Sequence, residues 1–122
     1  MEKRKRRILL VDDHVKLMYF ITVALRLQNF EVVTADTGQK GLDEIKSREP
    51  DILLLDIQMP QMDGFEVLRQ LRKLSKMPVI AFSSYPEYSS HALECGASDF
   101  LMKPFDMNHL LELVHKWTDH HK

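Results

Sequence analysis

The chain has 122 residues, 44% hydrophobic and 29% charged, with a net charge of −1 at pH 7. That length suits one domain with a real core, and the near-neutral balance argues against direct nucleic-acid binding or attraction to an anionic membrane. A single cysteine, Cys95, excludes an internal disulfide and suits a reducing cytoplasm, while no apolar stretch matches a membrane span or a signal peptide.

The chain opens on a basic run, residues 3–7, read as a solvated lead-in to a strand. Residues 8–11 are all apolar and predict a buried strand, after which Leu17, Ile21, Ala24 and Leu25 recur at helical spacing. Residues 31–35 are rich in β-branched side chains and predict a second strand. Thr37 can cap a helix carrying Leu42 and Ile45, and Pro50 ends that segment before a third strand at 52–55. Leu68, Leu71 and Leu74 mark a third helix. Pro78 opens a fourth strand at 79–82. Pro86 stands where a fourth helix can begin, with Ala92 and Leu93 on its inner face and Gly96 near its end. Residues 100–102 predict the shortest strand, and Asp106 can cap a last helix that turns Met107, Leu110, Leu111 and Val114 inward.

Strict alternation of strands and helices implies an α/β fold with right-handed crossovers. Strands that are continuously apolar require burial on both faces, as in a parallel sheet covered by helices on each side. The expected architecture is a flavodoxin-like, doubly wound five-stranded parallel sheet of order 2-1-3-4-5 with five helices. Residues 1–122 are expected to form a single domain, with no internal linker or repeat.

The charged residues that matter lie just beyond the apolar runs. Asp12 and Asp13 follow the first strand, Asp56 the third and Lys103 the fifth. In an open parallel sheet these positions converge at the carboxyl edge, where the strand order reverses and ligands bind. Three carboxylates held together repel one another and need a cation. Oxygen donors with room for water suit Mg²⁺. Asp12 and Asp13 can also cap the first helix, a role compatible with metal binding. Asp56 has a loop rather than a helix start after it, so capping fits it poorly. A carboxylate can attack phosphorus to give an aspartyl phosphate, with Mg²⁺ and a lysine neutralising the phosphoryl oxygens. Lys103 is placed for that role, and Ser83 would supply a hydroxyl from the end of the fourth strand.

Taken together, Asp12-Asp13, the run from Asp56 through Gln58, Met59, Pro60 and Asp63 to Gly64, Ser83-Ser84, and Gly96 through Phe100 and Lys103-Pro104-Phe105 resemble the receiver domain of bacterial two-component response regulators. The resemblance covers nearly the whole chain. It implies that Asp56 accepts a phosphoryl group from a sensor histidine kinase or a phosphotransfer protein. It implies Mg²⁺ held by the Asp13 and Asp56 carboxylates and the Gln58 backbone carbonyl, with Asp12 acting mostly through water. Lys103 would pair with the phosphoryl oxygens, Ser83 would move to hydrogen-bond the phosphate, and Phe100 would turn into the space this vacates. A cis bond between Lys103 and Pro104 is a further implication. The signal would leave through the face of the fourth helix, fifth strand and fifth helix, toward a downstream effector or a phosphorylation-linked dimer. Serine at position 83 and phenylalanine at 100 stand where threonine and tyrosine are frequent in the family. Tyr85, near the site, is bulky enough to slow water attack on the acyl phosphate.

Two other readings compete. A Mg²⁺-dependent aspartyl-nucleophile hydrolase needs a general acid-base aspartate two residues after the nucleophile, where this chain has Gln58. A degenerate receiver used only for protein binding would not need the intact acidic cluster. Other conspicuous residues read as structural: Met59, Met62, Met77, Met102 and Met107 as filler, Cys95 as a small buried apolar side chain, and Asp63-Gly64 as a helix start. His14 lies beside the acidic pair, where it could bind metal, but is expected to face outward at the start of the first helix, and His91, His109 and His115 to lie on helix surfaces. Trp117 extends the apolar stripe of the last helix. The end at His120-His121-Lys122 reads equally as a native tail or as part of an expression tag.

Overall fold

The computed structural model describes residues 4–59 and 63–119. Lys3, Pro60, Met62 and the tail from His120 lie outside them, and with them the expectations placed there. Elements follow in the order β1 (Arg7–Val11), α1 (Val15–Leu27), β2 (Glu31–Ala35), α2 (Gly38–Arg48), β3 (Ile52–Asp56), α3 (Gly64–Arg72), β4 (Val79–Ser83), α4 (Tyr88–Glu94), β5 (Asp99–Met102) and α5 (Met107–Asp119). All strand pairs are parallel, and the sheet order is β2-β1-β3-β4-β5. The expected architecture is therefore the observed one, with β5 the shortest strand.

Double-sided burial explains why β1, β3 and β4 carry no alternating polar residues. On one face, Leu9, Val11, Leu53, Leu55, Val79 and Ala81 pack against Leu42 and Ile45 of α2, Val67, Leu68 and Leu71 of α3, and Ala92 of α4. On the other, Ile8, Leu10, Ile52, Leu54, Ile80 and Phe82 meet Ile21 and Leu25 of α1 and Leu110 and Val114 of α5. Truncating one of the leucines or isoleucines among these to alanine costs about 2–5 kcal/mol, because the rigid surroundings cannot close the cavity.

Local signals start most helices where expected. The Thr37 side chain accepts the Lys40 N–H, and Asp63 accepts the Glu66 N–H. Asp106 accepts the Asn108 N–H at the start of α5. Two leucines depart from expectation. Leu74 is exposed because α3 ends at Arg72, one residue before the C-cap Lys73, so the leucine falls beyond the helix. Leu93 is also exposed: α4 buries Ala92, and the next residue points about 100° away round the helix. Met102 is likewise exposed, and Cys95 is only half-buried, with Sγ 3.7 Å from His91 Nε2. In the basic lead-in, Arg4 and Arg7 are not merely solvated: Arg4 pairs with Asp51 and Arg7 with Glu31.

Candidate functional site

Strand register builds the site. Val11 lies beside Leu55, Asp56 beside Phe82, and Ser83 beside Met102. The ladder continues past the apolar runs: Asp12 N–H donates to Ala35 O, Ile57 N–H to Phe82 O and Lys103 N–H to Ser83 O. Asp12, Asp56, Ser83 and Lys103 are thus delivered to one edge by backbone hydrogen bonds. Gly64 closes the floor. A Cβ there would lie 2.5 Å from Ile57 Cα and 2.9 Å from Asp56 O, so only glycine lets α3 start this close to the end of β3.

Asp12 and Ser83 are fully buried and Asp56 is 1% exposed, whereas Asp13 lies at the rim. Lys103 Nζ is 3.3 Å from Asp56 Oδ2 and 3.7 Å from Asp12 Oδ2, and 5.1 Å from the centre of the Phe82 ring. The peptide bond from Lys103 to Pro104 is cis, as the resemblance implied. Asp56 Oδ1 accepts the Gln58 N–H at 3.0 Å. Burial first, and then the neighbouring Asp12 carboxylate, push the Asp56 carboxyl up to about 6, against the opposing pull of the Gln58 N–H and Lys103.

Three carboxylates face one lysine, and the imbalance is visible atom by atom. Asp12 Oδ2 and Asp13 Oδ1 are buried without a hydrogen-bond partner. Buried anionic oxygens without donors are costly, and a hard divalent cation is what would satisfy them. The donor set therefore fits Mg²⁺, with Asp12, Asp13 and Asp56 supplying oxygen.

Ser83 Oγ donates to Gln58 Oε1 at 3.0 Å and accepts the Tyr85 N–H at 3.1 Å. The sequence pointed to Gln58 only through its backbone, but its side chain holds the serine hydroxyl. The direction of His14, expected to face outward, is the second point the sequence reading misjudged. Although its side chain is 63% exposed, its ring turns inward, with Nδ1 3.0 Å from Asp12 Oδ1. A polar loop residue within two positions of a strand-end aspartate is the signal both shared. Phe100 is half-buried against the core face that holds α2, α3 and α4.

The model of the response regulator receiver domain family matches residues 8–115. This chain belongs to that family. The regulatory protein AtoC of Escherichia coli is 38% identical over 113 residues, covering 90% of this chain and 24% of AtoC. KdpE, a KDP operon transcriptional regulatory protein of the same organism, is 40% identical over 105 residues, covering 84% of this chain and 47% of KdpE. The chain thus spans a quarter to a half of these relatives' length. Among solved structures, the receiver domain of the Francisella response regulator 1452 superposes with a TM-score of 0.91 at 29% identity, covering 97% of this chain and all of that one. Receiver domains are signalling domains of two-component systems, and the acidic pocket of this one is intact. No helix among the described residues is long and apolar enough to cross a membrane.

Proposed function

We propose that residues 1–122 act as one phosphoacceptor unit in the cytoplasm, with Asp56 taking a phosphoryl group from a phosphohistidine of a sensor kinase or phosphotransfer protein. The observation that carries this reading is the pairing of a buried, ionisable Asp56 with Lys103 at 3.3 Å inside an otherwise under-neutralised acidic cluster. An Asp56 carboxylate oxygen attacks phosphorus as the P–N bond breaks. The departing imidazole keeps the bonding electron pair, and an acyl phosphate forms on Asp56. Asp13, Asp56 and the Gln58 carbonyl, with Asp12, would hold Mg²⁺, which would supply charge neutralisation on the phosphoryl oxygens. Lys103 shares that work and orients the product.

Phosphorylation adds strong acceptor oxygens at the sheet edge. The Ser83 hydroxyl then gives up Gln58 Oε1 and donates to a phosphoryl oxygen, and Phe100 turns into the space vacated. A shift of population requires contacts that exist in one state only, and the two partners of Ser83 provide them. The altered face comprises α4, β5 and α5, where Leu93 and Met102 are exposed for an effector or a second copy. On the input side, Val15, Tyr19 and Phe20 leave exposed apolar side chains on the first turns of α1, next after the acidic pair, suited to a helical donor protein.

Incubation with Mg²⁺ and a small acyl-phosphate donor, followed by intact-mass measurement, tests the reading. One added phosphate that is absent in Asp56→Asn supports it. Steady phosphate release at enzymatic rates would favour a hydrolase instead, and no adduct would favour a module used only for binding.

A further inference from the structure

His14 stands directly after the acidic pair, and its ring position is unexplained by capping: it is the N-cap of α1, yet its side chain makes no cap hydrogen bond. Instead Nδ1 points into the cluster, 3.0 Å from Asp12 Oδ1, 3.4 Å from Asp13 Oδ1 and 3.7 Å from Asp56 Oδ2. Asp12 Oδ1 also accepts the His14 backbone N–H at 2.9 Å, so the same carboxylate fixes both the loop and the ring. Asp12, Asp13, His14 and Asp56 each offer a donor atom, all within 4.8 Å of one another. Around a small divalent ion with ligands at about 2.1 Å, adjacent octahedral donors sit about 3 Å apart and opposite ones about 4.2 Å apart. The four donors already fit such a shell to within side-chain adjustment. The buried carboxylate beside the ring is also short of donors: Asp12 is fully buried, and its Oδ2 has no hydrogen-bond partner, with Lys103 Nζ 3.7 Å away.

We propose that His14 Nδ1 is a direct ligand of the ion in this pocket, so that it raises the site's affinity for a first-row transition divalent ion relative to Mg²⁺. The inference rests on the reading of the cluster as a divalent-ion site and adds a nitrogen donor to its ligand set. Mg²⁺ takes oxygen ligands and keeps much of its water, so it gains little from an imidazole. Co²⁺ and Zn²⁺ gain more from a nitrogen donor, and at a mixed nitrogen-oxygen site their affinity stands above that of Mn²⁺. With His14 ligating, the metal present would set how readily Asp56 is charged.

Calorimetric titration of the metal-stripped chain with Mg²⁺, Co²⁺ and Zn²⁺, for wild type and His14→Gln, tests this. The Co²⁺-to-Mg²⁺ affinity ratio is expected to fall about tenfold or more in the variant, the scale on which metal-site residues tune affinity. Proton NMR of the Co²⁺ form provides a readout independent of activity. Hyperfine-shifted imidazole signals should appear in wild type, vanish in His14→Gln, which retains every other histidine, and vanish in Asp13→Asn. An unchanged ratio, or no imidazole signal dependent on His14, overturns the proposal while leaving the Mg²⁺ site standing. Equal loss of Mg²⁺ and Co²⁺ affinity overturns the selectivity. Absence of any divalent-ion binding overturns the proposal together with the ion-site reading beneath it.

Discussion

Replacing Asp56 by asparagine should stabilise the metal-free protein, even though it removes the residue on which the proposed function depends. Folding raises the carboxyl from 3.8 to about 6, chiefly through burial. At about 1.4 kcal/mol per pKa unit, ionising Asp56 at neutral pH costs the folded state up to about 3 kcal/mol. Asparagine has the same shape and can still accept the Gln58 N–H, and the pairing with Lys103 is already contained in the shift, but its amide NH₂ places a donor where an oxygen faced Lys103 at 3.3 Å. A net gain of about 1–2 kcal/mol remains after that cost. The sign follows from the direction of the shift. A raised folded-state value means the folded protein holds the proton more tightly than the unfolded chain. Below about pH 4 both states are protonated and the two proteins differ little. As pH climbs through about 6 the wild type loses stability relative to the variant, and above about pH 7 the gap is constant.

Urea denaturation in EDTA across this range measures the gap. Added Mg²⁺ should reverse the order. A ligand that binds only the folded state at a hundredfold excess over its dissociation constant contributes about 2.7 kcal/mol, and asparagine surrenders most of that. A variant less stable than wild type at pH 8 in EDTA, or a gap that does not vary with pH, would refute the account of an under-neutralised carboxylate.

Lys103→Met should act in the opposite direction, costing about 2–4 kcal/mol without metal because Asp12 and Asp56 lose their shared cation. Mg²⁺ should restore part of this in a thermal melt, and wild-type stability in EDTA would contradict the pairing. Ser83→Ala should lose about 1 kcal/mol for the bond to Gln58 and still accept phosphate. Its phosphorylation should leave Trp117 fluorescence unchanged, whereas in wild type the emission should shift, since Trp117 donates to Asp99 beside Phe100. Gly64→Ala should cost about 1–3 kcal/mol and slow phosphorylation by a small donor, because the new Cβ drives against Ile57 Cα and Asp56 O. Unaltered folding and rate in that variant would show that the approach of α3 is not constrained there.

Much of this was legible in the chain because burial on both faces writes itself as unbroken apolar runs, and because the residue ending each run is the residue at the sheet edge. What the pattern misjudged was where hydrogen bonding stops. Asp56 and Ser83 belong to β3 and β4, since a polar side chain ends the apolar run but not the backbone ladder. Leu74 misled for the reverse reason: its spacing continues a helix whose backbone has already turned away. Side-chain direction in loops was least legible. Nothing in the periodicity shows that Gln58 Oε1 takes the Ser83 hydroxyl or that the His14 ring faces Asp12. Both depend on rotamers chosen by neighbours brought from elsewhere in the chain.

The placement of Asp56 has a stricter cause than its neighbours' charge. Side chains alternate along a strand, so slipping β3 by one residue against β1 and β4 would turn its whole apolar set to the opposite face and aim Asp56 away from Lys103. The residues that prevent the slip are Leu53 and Leu55 on one face of the sheet and Ile52 and Leu54 on the other, none of which touches a phosphoryl group. Their layers have different partners: α2 and α3 supply one, α1 and α5 the other. An alternative register therefore loses packing on two surfaces at once. The chemistry at the edge is held in place by apolar residues that carry no charge.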